Sequence, residues 1–271
     1  MKELRSRGNL PPYTLDMTEG DLYYNTGHTY QALNLYNHAL DSDSARLDPR
    51  NEMKVLHRLI SCYDYLKLDT QKSEYVERLL EKAKECGDRA MHSTALFELG
   101  KMMYYQGEKE RAYKYLNEAI TMMEETDYDL KYDNLRYYYN TIILYLLWDE
   151  RLEESLEALD KLEAVVTSVT GGETHISGLE EKELKRLYAN RAVALARLYR
   201  TEEADECYRK FLSLGDSRDN YLIIPYLFKR VPKNKFAQIF KENAGMSFTE
   251  YVNGMRMEYA ASLLKNNQRR G

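Results

Sequence analysis

Histidine, cysteine and closely spaced acidic side chains are the residues of this 271-residue chain that could perform catalysis or hold a metal. The five histidines have neither the HExxH spacing of a zinc protease nor a nearby cysteine: His28, His38, His57, His92 and His175. Adjacent carboxylates such as Glu124 and Glu125 point in different directions on a helix, as on a solvated face. Glycine-rich phosphate loops and nucleophile motifs are missing from the sequence. We therefore predict no catalytic residue, no metal site, no cofactor and no enzymatic activity.

The three cysteines, Cys62, Cys86 and Cys207, are odd in number and far apart in the sequence. This spacing fits neither a disulfide framework nor a zinc site, so we predict free thiols within helical cores. The first residues contain no apolar leader, and the apolar runs are too short to cross a bilayer. The sequence therefore predicts a cytoplasmic protein without a membrane segment.

Composition indicates the kind of element that carries these residues. Glycine and proline number only 13 and 5, whereas helix-forming residues and 25 tyrosines are abundant. A tyrosine ring with a polar tip suits the rim or groove of a stack of helices. We predict an all-α fold.

Residues 96–119 contain the pattern that the rest of the chain repeats. A first helix with an apolar face is followed by a glycine turn and by a second helix with small inward residues: Leu96, Leu99, Gly100, Met103, Gly107, Ala112, Leu116 and Ala119. This spacing resembles a tetratricopeptide repeat. The resemblance implies antiparallel helix pairs stacked into a right-handed superhelix.

The same spacing recurs from Gly20 to Ala39, because Gly20 and Gly27 are as far apart as Gly100 and Gly107. Further pairs are predicted over 51–86, 91–125 and 134–166, then around Tyr188 and Ala204, and a sixth pair would begin at 221–230. A polar connection after Ala39 ends in Pro49, where we expect no further helix. We assign residues 13–230 to the repeat array.

Stacked helix pairs build a concave surface that holds a protein or peptide partner. We predict that polar and aromatic positions of the first helices line this groove. The candidate groove residues are Tyr24, Lys101, Tyr104, Tyr138 and Arg191.

Residues 231–271 depart from the repeat pattern. Residues 217–271 hold ten Lys and Arg against four Asp and Glu, a formal charge of +6, whereas the first 216 residues have −11. The segment resembles an AraC/XylS-type helix-turn-helix and its linker helix at Phe236, Phe240, Lys241, Gly245, Met246, Ser247, Phe248, Tyr251, Arg256, Ala260, Leu263 and Leu264. Ser247 and Glu250 also have the spacing of a helix capping box.

The AraC resemblance implies DNA contacts from one exposed helical face. Those residues would be Lys233, Asn234, Lys235, Gln238 and Lys241. The second helix-turn-helix unit and the helices that brace the first are not in the sequence. An alternative prediction is that Phe236, Phe240, Tyr251 and Leu263 close the open end of the array as a capping helix pair.

Together, the two resemblances suggest a truncated or internally deleted regulator, in which a repeat sensor precedes a remnant of an AraC-type output domain. The function predicted first is a non-enzymatic protein- or peptide-binding scaffold. DNA-binding transcription regulation through residues 232–264 is the alternative, and self-association through the open end of the array is a third.

Overall fold

The computed structural model describes residues 11–170, 178–214, 222–224, 226, 233–254 and 256–257. Within these residues the secondary structure is helical, without strands, which confirms the all-α prediction. The helices are α1 Pro12–Asn25, α2 Thr29–Asp41, α3 Asp43–Arg46, α4 Pro49–Leu66, α5 Asp69–Cys86, α6 Arg89–Tyr105, α7 Lys109–Glu124, α8 Lys131–Trp148, α9 Leu152–Thr170, α10 Gly178–Arg197, α11 Thr201–Ser213 and α12 Lys233–Ala244. A further helical segment begins at residue 248. Among the described residues, none of these helices combines the length and the apolar character required to cross a membrane.

Five pairs of helices follow one another, and each pair has its own tight turn: α1/α2, α4/α5, α6/α7, α8/α9 and α10/α11. In the turn after α6, Gly107 has a φ of +86°, and the Glu108 amide donates to the Met103 carbonyl at 3.0 Å. This is the Schellman arrangement, which satisfies the free carbonyls at a helix end. Gly27 has the same role after α1, so the predicted glycine turns are confirmed.

Small residues allow close approach of the two helices in a pair. A Cβ atom at Gly100 would lie 2.9 Å from Leu116 Cγ, and one at Gly20 would lie 2.5 Å from Tyr36 Cε1. Ala112 and Ala119 are fully buried on the opposite helix. Packing at this distance requires hydrogen or a methyl group at these positions, which explains the spacing seen in the sequence.

The connection after α2 corrects one expectation. It contains the short helix α3, whose N-cap Ser42 accepts a hydrogen bond from the Ala45 amide. Pro49 begins α4 rather than ending helical structure, and the Asp48 side chain accepts from the Arg50 amide at 2.9 Å. Proline is favoured in a first helical turn because its missing N–H has no intrahelical partner there.

The described residues form two compact units, one up to Tyr138 and one from Tyr139 onward. Two clusters of buried side chains lie in the described part of the N-terminal unit. The first contains Ala32, Tyr36, Ala39, Val55, Leu59, Cys62 and Tyr63, and the second contains Met53, Leu56, Ile60, Val76, Leu79, Ala83, Met91 and Ala95. Cys62 and Cys207 are buried as predicted, but Cys86 is exposed at the end of α5.

In the C-terminal unit one cluster joins the last helix pair to the segment after it. Its members are Ala189, Ala192, Val193, Leu195, Ala204, Cys207, Phe211, Ile223, Tyr226, Phe236 and Phe240. Most of the predicted sixth pair, and the predicted domain boundary at 230, lie outside the described residues. That boundary stays a prediction.

Candidate functional site

Four charged side chains form a buried cluster between neighbouring repeats of the N-terminal unit. Lys72 Nζ lies 2.5 Å from Asp64 Oδ1 and 2.5 Å from Glu98 Oε2. Lys101 Nζ lies 3.3 Å from Asp64 Oδ2 and 3.0 Å from both Glu98 oxygens. Lys72 is 1% exposed and Lys101 6%. Helices α4, α5 and α6 thus share a network of two ammonium and two carboxylate groups, which we call the charge cluster.

The charge cluster holds its members in their charged forms. Burial by itself would raise the pKa of Glu98, but the Lys101 and Lys72 ammonium groups outweigh it and leave that pKa below its ordinary value. The same balance lowers the pKa of Asp64. The pKa of Lys101 is raised, because Glu98 and Asp64 outweigh the effect of its burial. These shifts arise because each charge lies within contact distance of two opposite ones.

Tyr137 covers the charge cluster. Lys101 Nζ donates to the Tyr137 hydroxyl at 2.5 Å, and the same ammonium lies 5.2 Å from the ring centroid. Burial raises the pKa of Tyr137, and the Glu98 and Asp64 charges raise it further. The Tyr137 side chain is nevertheless partly exposed, so it forms a surface over the buried network.

The described part of the N-terminal unit contains three recesses, two of which are lined by residues of the charge cluster. The Tyr65 recess, of about 390 Å³, is lined by Tyr24, Ser61, Asp64, Tyr65, Lys67, Glu98 and Tyr137. The Tyr105 recess, of about 280 Å³, shares Asp64 and Lys67 with it and extends to Asp69, Lys72, Met102, Tyr105 and Gln106. Apart from Lys67, which follows α4, the residues that line the Tyr65 recess come from α1, α4, α6 and the first part of α8. These are the first helices of successive pairs, and we call the surface that they form together the first-helix face.

The third recess, the His57 recess, lies on the same face and has about 350 Å³. Its lining residues are Tyr13, Thr14, Met17, Thr18, Asp21, Lys54, His57, Arg58, Met91, Tyr128, Leu130 and Asn134. Arg58 Nε lies 2.8 Å from Asp21 Oδ1, and the Tyr36 hydroxyl donates to the same carboxylate at 2.6 Å. Burial, with Arg58 nearby, lowers the pKa of His57 to about 4, so its imidazole is neutral at pH 7.

One of the predicted groove residues, Tyr24, lines the Tyr65 recess. Lys101 does not line it but contacts two residues that do, Glu98 and Tyr137. Tyr104 and Tyr138 are buried instead. Their sequence neighbours Tyr105 and Tyr137 line the Tyr105 and Tyr65 recesses. At both places the neighbouring residue on the same helix, and not the predicted one, lines a recess, and the role of these residues in binding stays a prediction.

Arg191 holds two helices of the C-terminal unit together. Its guanidinium donates to Glu163 Oε2 at 2.6 Å and to Asp160 Oδ1 at 2.7 Å. Arg191 is therefore paired with α9 and belongs to the C-terminal unit, whereas the Tyr65 recess residues belong to the N-terminal unit.

Asp64, Lys72 and Glu98 are not among the residues that the sequence pattern indicates. Glu98 follows the apolar run Ala95, Leu96 and Phe97 on α6. A carboxylate within such a run is a signal for a buried ion pair, because a lone buried charge would be very costly. Its partners come from other helices, and no spacing in the sequence identifies them.

Of the predicted DNA-contact residues, Gln238 and Lys241 are exposed on α12, and Gln238 donates to Glu242 at 2.9 Å. Lys233, Asn234 and Lys235 form the first turn of that helix, and their side chains are not among those that the structure describes.

The capping box predicted at Ser247 and Glu250 is present. The Ser247 amide donates to Glu250 Oε2 at 2.7 Å, and the Glu250 amide donates to Ser247 Oγ at 3.2 Å.

Phe236 and Phe240 point away from that exposed face. Both are buried, and their rings contact Phe248 at centroid distances of 5.4 and 5.3 Å. They belong to the cluster that contains Phe211 and Ala204 of the last helix pair. Two of the four residues named in the capping alternative are therefore core residues, and Leu263 lies outside the described residues.

No protein-family model and no curated protein matches this sequence. Several solved structures share its fold. BtubC (BKLC) from P. vanneervenii is 17% identical with a TM-score of 0.58, over 72% of this chain and 76% of that one. PilF from Pseudomonas aeruginosa is 16% identical with a TM-score of 0.57, over 90% and 97%. A kinesin light chain from Podospora anserina with TPR-like repeats is 15% identical with a TM-score of 0.53, over 75% and 96%. The fold of this chain is therefore a TPR-like array of helix pairs.

Proposed function

We propose, from this TPR-like fold, that the chain is a non-enzymatic scaffold that binds an extended segment of a partner protein on the first-helix face. The observation that carries the proposal is that the Tyr65 and His57 recesses lie on this one face, and that each is lined by four successive elements of it. A segment lying there would contact several repeats at once, which is how stacked helix pairs bind their partners.

Two properties of the site support binding rather than catalysis. Asp64, Glu98 and Lys101 are mutually paired, and their pKa values are driven away from neutrality. The pKa of His57, about 4, is also far from 7. A general acid or base works best with a pKa near the working pH, so these groups are poorly suited to proton transfer at pH 7.

The exposed tyrosines provide contact surface at low entropic cost. The Tyr65 side chain is 57% exposed, and its ring packs edge-on against Tyr24 with centroids 6.4 Å apart. Aromatic rings with a polar tip are enriched at protein interfaces because one residue offers both apolar area and a hydrogen bond.

Selection from a displayed library of random twelve-residue peptides tests the proposal. We expect the full chain to enrich peptides, and the variant Tyr65→Ala to lose most of that enrichment. Tyr199→Ala is the matched control, because Tyr199 is 89% exposed and lies in the other unit. Absence of enrichment, or equal enrichment by both variants and the wild-type chain, would contradict binding at this face.

The alternative proposal is DNA binding through residues 232–264, with the array inherited from the sensor part of an AraC-type regulator. It is supported by the capping box at Ser247 and by the exposed Gln238 and Lys241. Electrophoretic mobility shift with random duplex DNA at low and moderate salt tests it. Salt-sensitive binding that Lys241→Glu weakens is the expected result, and no shift at low salt would remove the alternative.

Self-association and a cytoplasmic location also remain predictions from the sequence. Light scattering across a concentration series tests self-association. A mass that increases with concentration is expected if copies associate, and a constant monomer mass contradicts it.

A further inference from the structure

The Tyr65 recess offers hydrogen-bond donors that are not in use. Among the described residues, the hydroxyls of Tyr24 and Tyr65 have no hydrogen-bond partner. Lys67 makes no ion pair with any of them within contact distance, although its charge contributes to the lowered pKa of Asp64. Lys67 is exposed at the left-handed residue that ends α4, with a φ of +57°. The recess therefore presents two phenolic donors and one ammonium to whatever lies in it.

The acceptors of the same recess are engaged. Glu98 accepts from Lys72 and Lys101, and Asp64 accepts from the same two ammonium groups. The Ser61 hydroxyl donates to the carbonyl of His57 at 3.0 Å. A ligand that brings many N–H donors would have to compete with these buried ion pairs, whose rupture is costly.

A ligand suited to this recess is rich in acceptors and poor in donors. A proline-rich segment has this chemistry, because proline lacks an N–H while its carbonyl remains free. In the polyproline II conformation there are no internal hydrogen bonds, so every carbonyl is available to a donor. The pyrrolidine rings pack well against aromatic walls.

We infer that the partner segment held in the Tyr65 recess is proline-rich and extended in the polyproline II conformation. Its carbonyls accept from the Tyr24 and Tyr65 hydroxyls, and its rings pack against the aromatic surface formed by Tyr24, Tyr65 and Tyr137. The adjoining Tyr105 recess, which shares Asp64 and Lys67, continues the surface along the segment. This inference rests on the proposed function and specifies the partner.

An acidic segment would also supply acceptors, but the charges around the recess give it little advantage. Asp64 and Glu98 both line the recess, but Lys72 and Lys101 already pair with them, so the charge cluster has no net charge that would attract a carboxylate. Lys67 alone faces such a ligand as an exposed cation. An ion pair with this exposed side chain would be worth about 0–1 kcal/mol, so the recess gives an anion little advantage over an uncharged acceptor, the peptide carbonyl.

Fluorescence anisotropy with labelled twelve-residue peptides tests the inference on the full chain. The probes are a peptide of Pro-Pro-Leu repeats, a Gly-Ser peptide of equal length, and a Pro-Pro-Glu peptide. We expect the Pro-Pro-Leu peptide to bind most tightly. The double variant Tyr24→Phe, Tyr65→Phe, which keeps both rings, is expected to bind it roughly 25-fold more weakly, or about fivefold for each hydroxyl.

Tyr199→Phe is the control and is expected to leave the affinity unchanged. Circular dichroism of the double variant establishes that it is folded, since both substitutions remove only a hydroxyl group. Tighter binding of the Gly-Ser or Pro-Pro-Glu peptide overturns the inference, and so does an unchanged affinity in the double variant. If library peptides without proline bind at Tyr65 while the Pro-Pro-Leu peptide does not, the inference is wrong and the proposed function stands. If no peptide binds in either experiment, both are wrong.

Discussion

Tyr137 and Tyr138 are adjacent in the sequence and occupy different environments. Tyr138 is buried, stacks on Phe97 with ring centroids 3.8 Å apart, and donates to Thr94 at 3.3 Å. Tyr137 is 45% exposed and covers the charge cluster. One residue along an α-helix is a rotation of about 100°, so a shift of one position exchanges the buried side of a helix for the exposed side. The sequence predicts which helix faces the groove, but packing decides the rotation of that helix.

The charge cluster gives a residue-scale prediction. Glu98→Gln removes one of two carboxylates that face two buried ammonium groups. We expect the free energy of unfolding to fall by about 3 kcal/mol at pH 7, because removing one partner leaves buried charge without compensation. Chemical denaturation followed by circular dichroism measures it. Glu74→Gln is the control, since Glu74 is exposed on α5, and its effect should stay within about 0.5 kcal/mol.

The loss of stability in Glu98→Gln should also depend on pH. Because the pKa of folded Glu98 is lowered, the unfolded chain binds the proton more readily, and the stabilisation is lost as pH falls below the ordinary value near 4.5. The difference between the wild-type chain and Glu98→Gln should therefore shrink between pH 5 and pH 3. A difference that stays constant over that range would show that Glu98 acts through packing rather than through charge.

His57 gives a second prediction at this scale. Its pKa of about 4 means that the folded imidazole stays neutral where the unfolded one, at its ordinary 6.5, already binds a proton. Stability contributed by neutral His57 is thus complete above pH 6.5 and is lost as pH falls toward 4. NMR titration of the His57 ring protons, assigned with His57→Gln, should give a midpoint near 4. A midpoint near 6.5 would contradict the burial of this ring.

At the scale of elements, the five pair turns share one backbone geometry although only two contain glycine. Gly27 and Gly107 have positive φ, and so do Lys67, Glu150 and Tyr199 at the corresponding turns. In each turn a backbone amide also donates to the carbonyl five residues earlier, for example from Arg200 to Leu195 at 2.9 Å. The sequence identifies the glycine turns because glycine favours positive φ. At the other turns the close packing of the helix pair imposes the conformation on residues that seldom adopt it.

Gly100→Ala tests the close approach of α6 and α7. The added methyl group would lie 2.9 Å from Leu116 Cγ and 3.2 Å from the Ala112 carbonyl oxygen. We expect destabilisation of about 1–3 kcal/mol, measured by chemical denaturation, despite the better helix propensity of alanine.

Gly254→Ala is the matched control for that substitution. Gly254 also lies in a helical segment, and a Cβ atom there would meet nothing within 4 Å. The free energy of unfolding of the Gly254→Ala variant should be unchanged or higher by up to about 1 kcal/mol. Equal effects of the two substitutions would contradict a special packing role for Gly100.

At the scale of the whole molecule, residues 233–254 extend the core of the C-terminal unit. Phe236 and Phe240 enter the cluster formed by α10 and α11, and Tyr251 packs against it. An open end of a helix array exposes apolar surface, and an added helix covers it. Two of the predicted DNA-contact residues, Gln238 and Lys241, are exposed on α12, on a different side of the helix from the buried Phe236 and Phe240.

Phe240→Ala should lower the free energy of unfolding by about 3 kcal/mol, because it removes a fully buried ring. Lys241→Ala, one residue away on the exposed side, should change it by less than about 0.5 kcal/mol. Urea denaturation of both variants measures the contrast. If Phe240→Ala were as mild as Lys241→Ala, the segment would not be part of the core.

The sequence by itself determined the all-α class, the helix pairs and the places where small residues allow close packing. These depend on local spacing, such as that of Gly100 and Gly107, and local spacing is directly visible in a chain. Only the tertiary structure decided that Tyr65, Tyr105 and Tyr137 line the recesses and that Lys72 pairs with Glu98. These contacts join helices that are distant in sequence, and their rotation depends on the packing of all neighbouring side chains together.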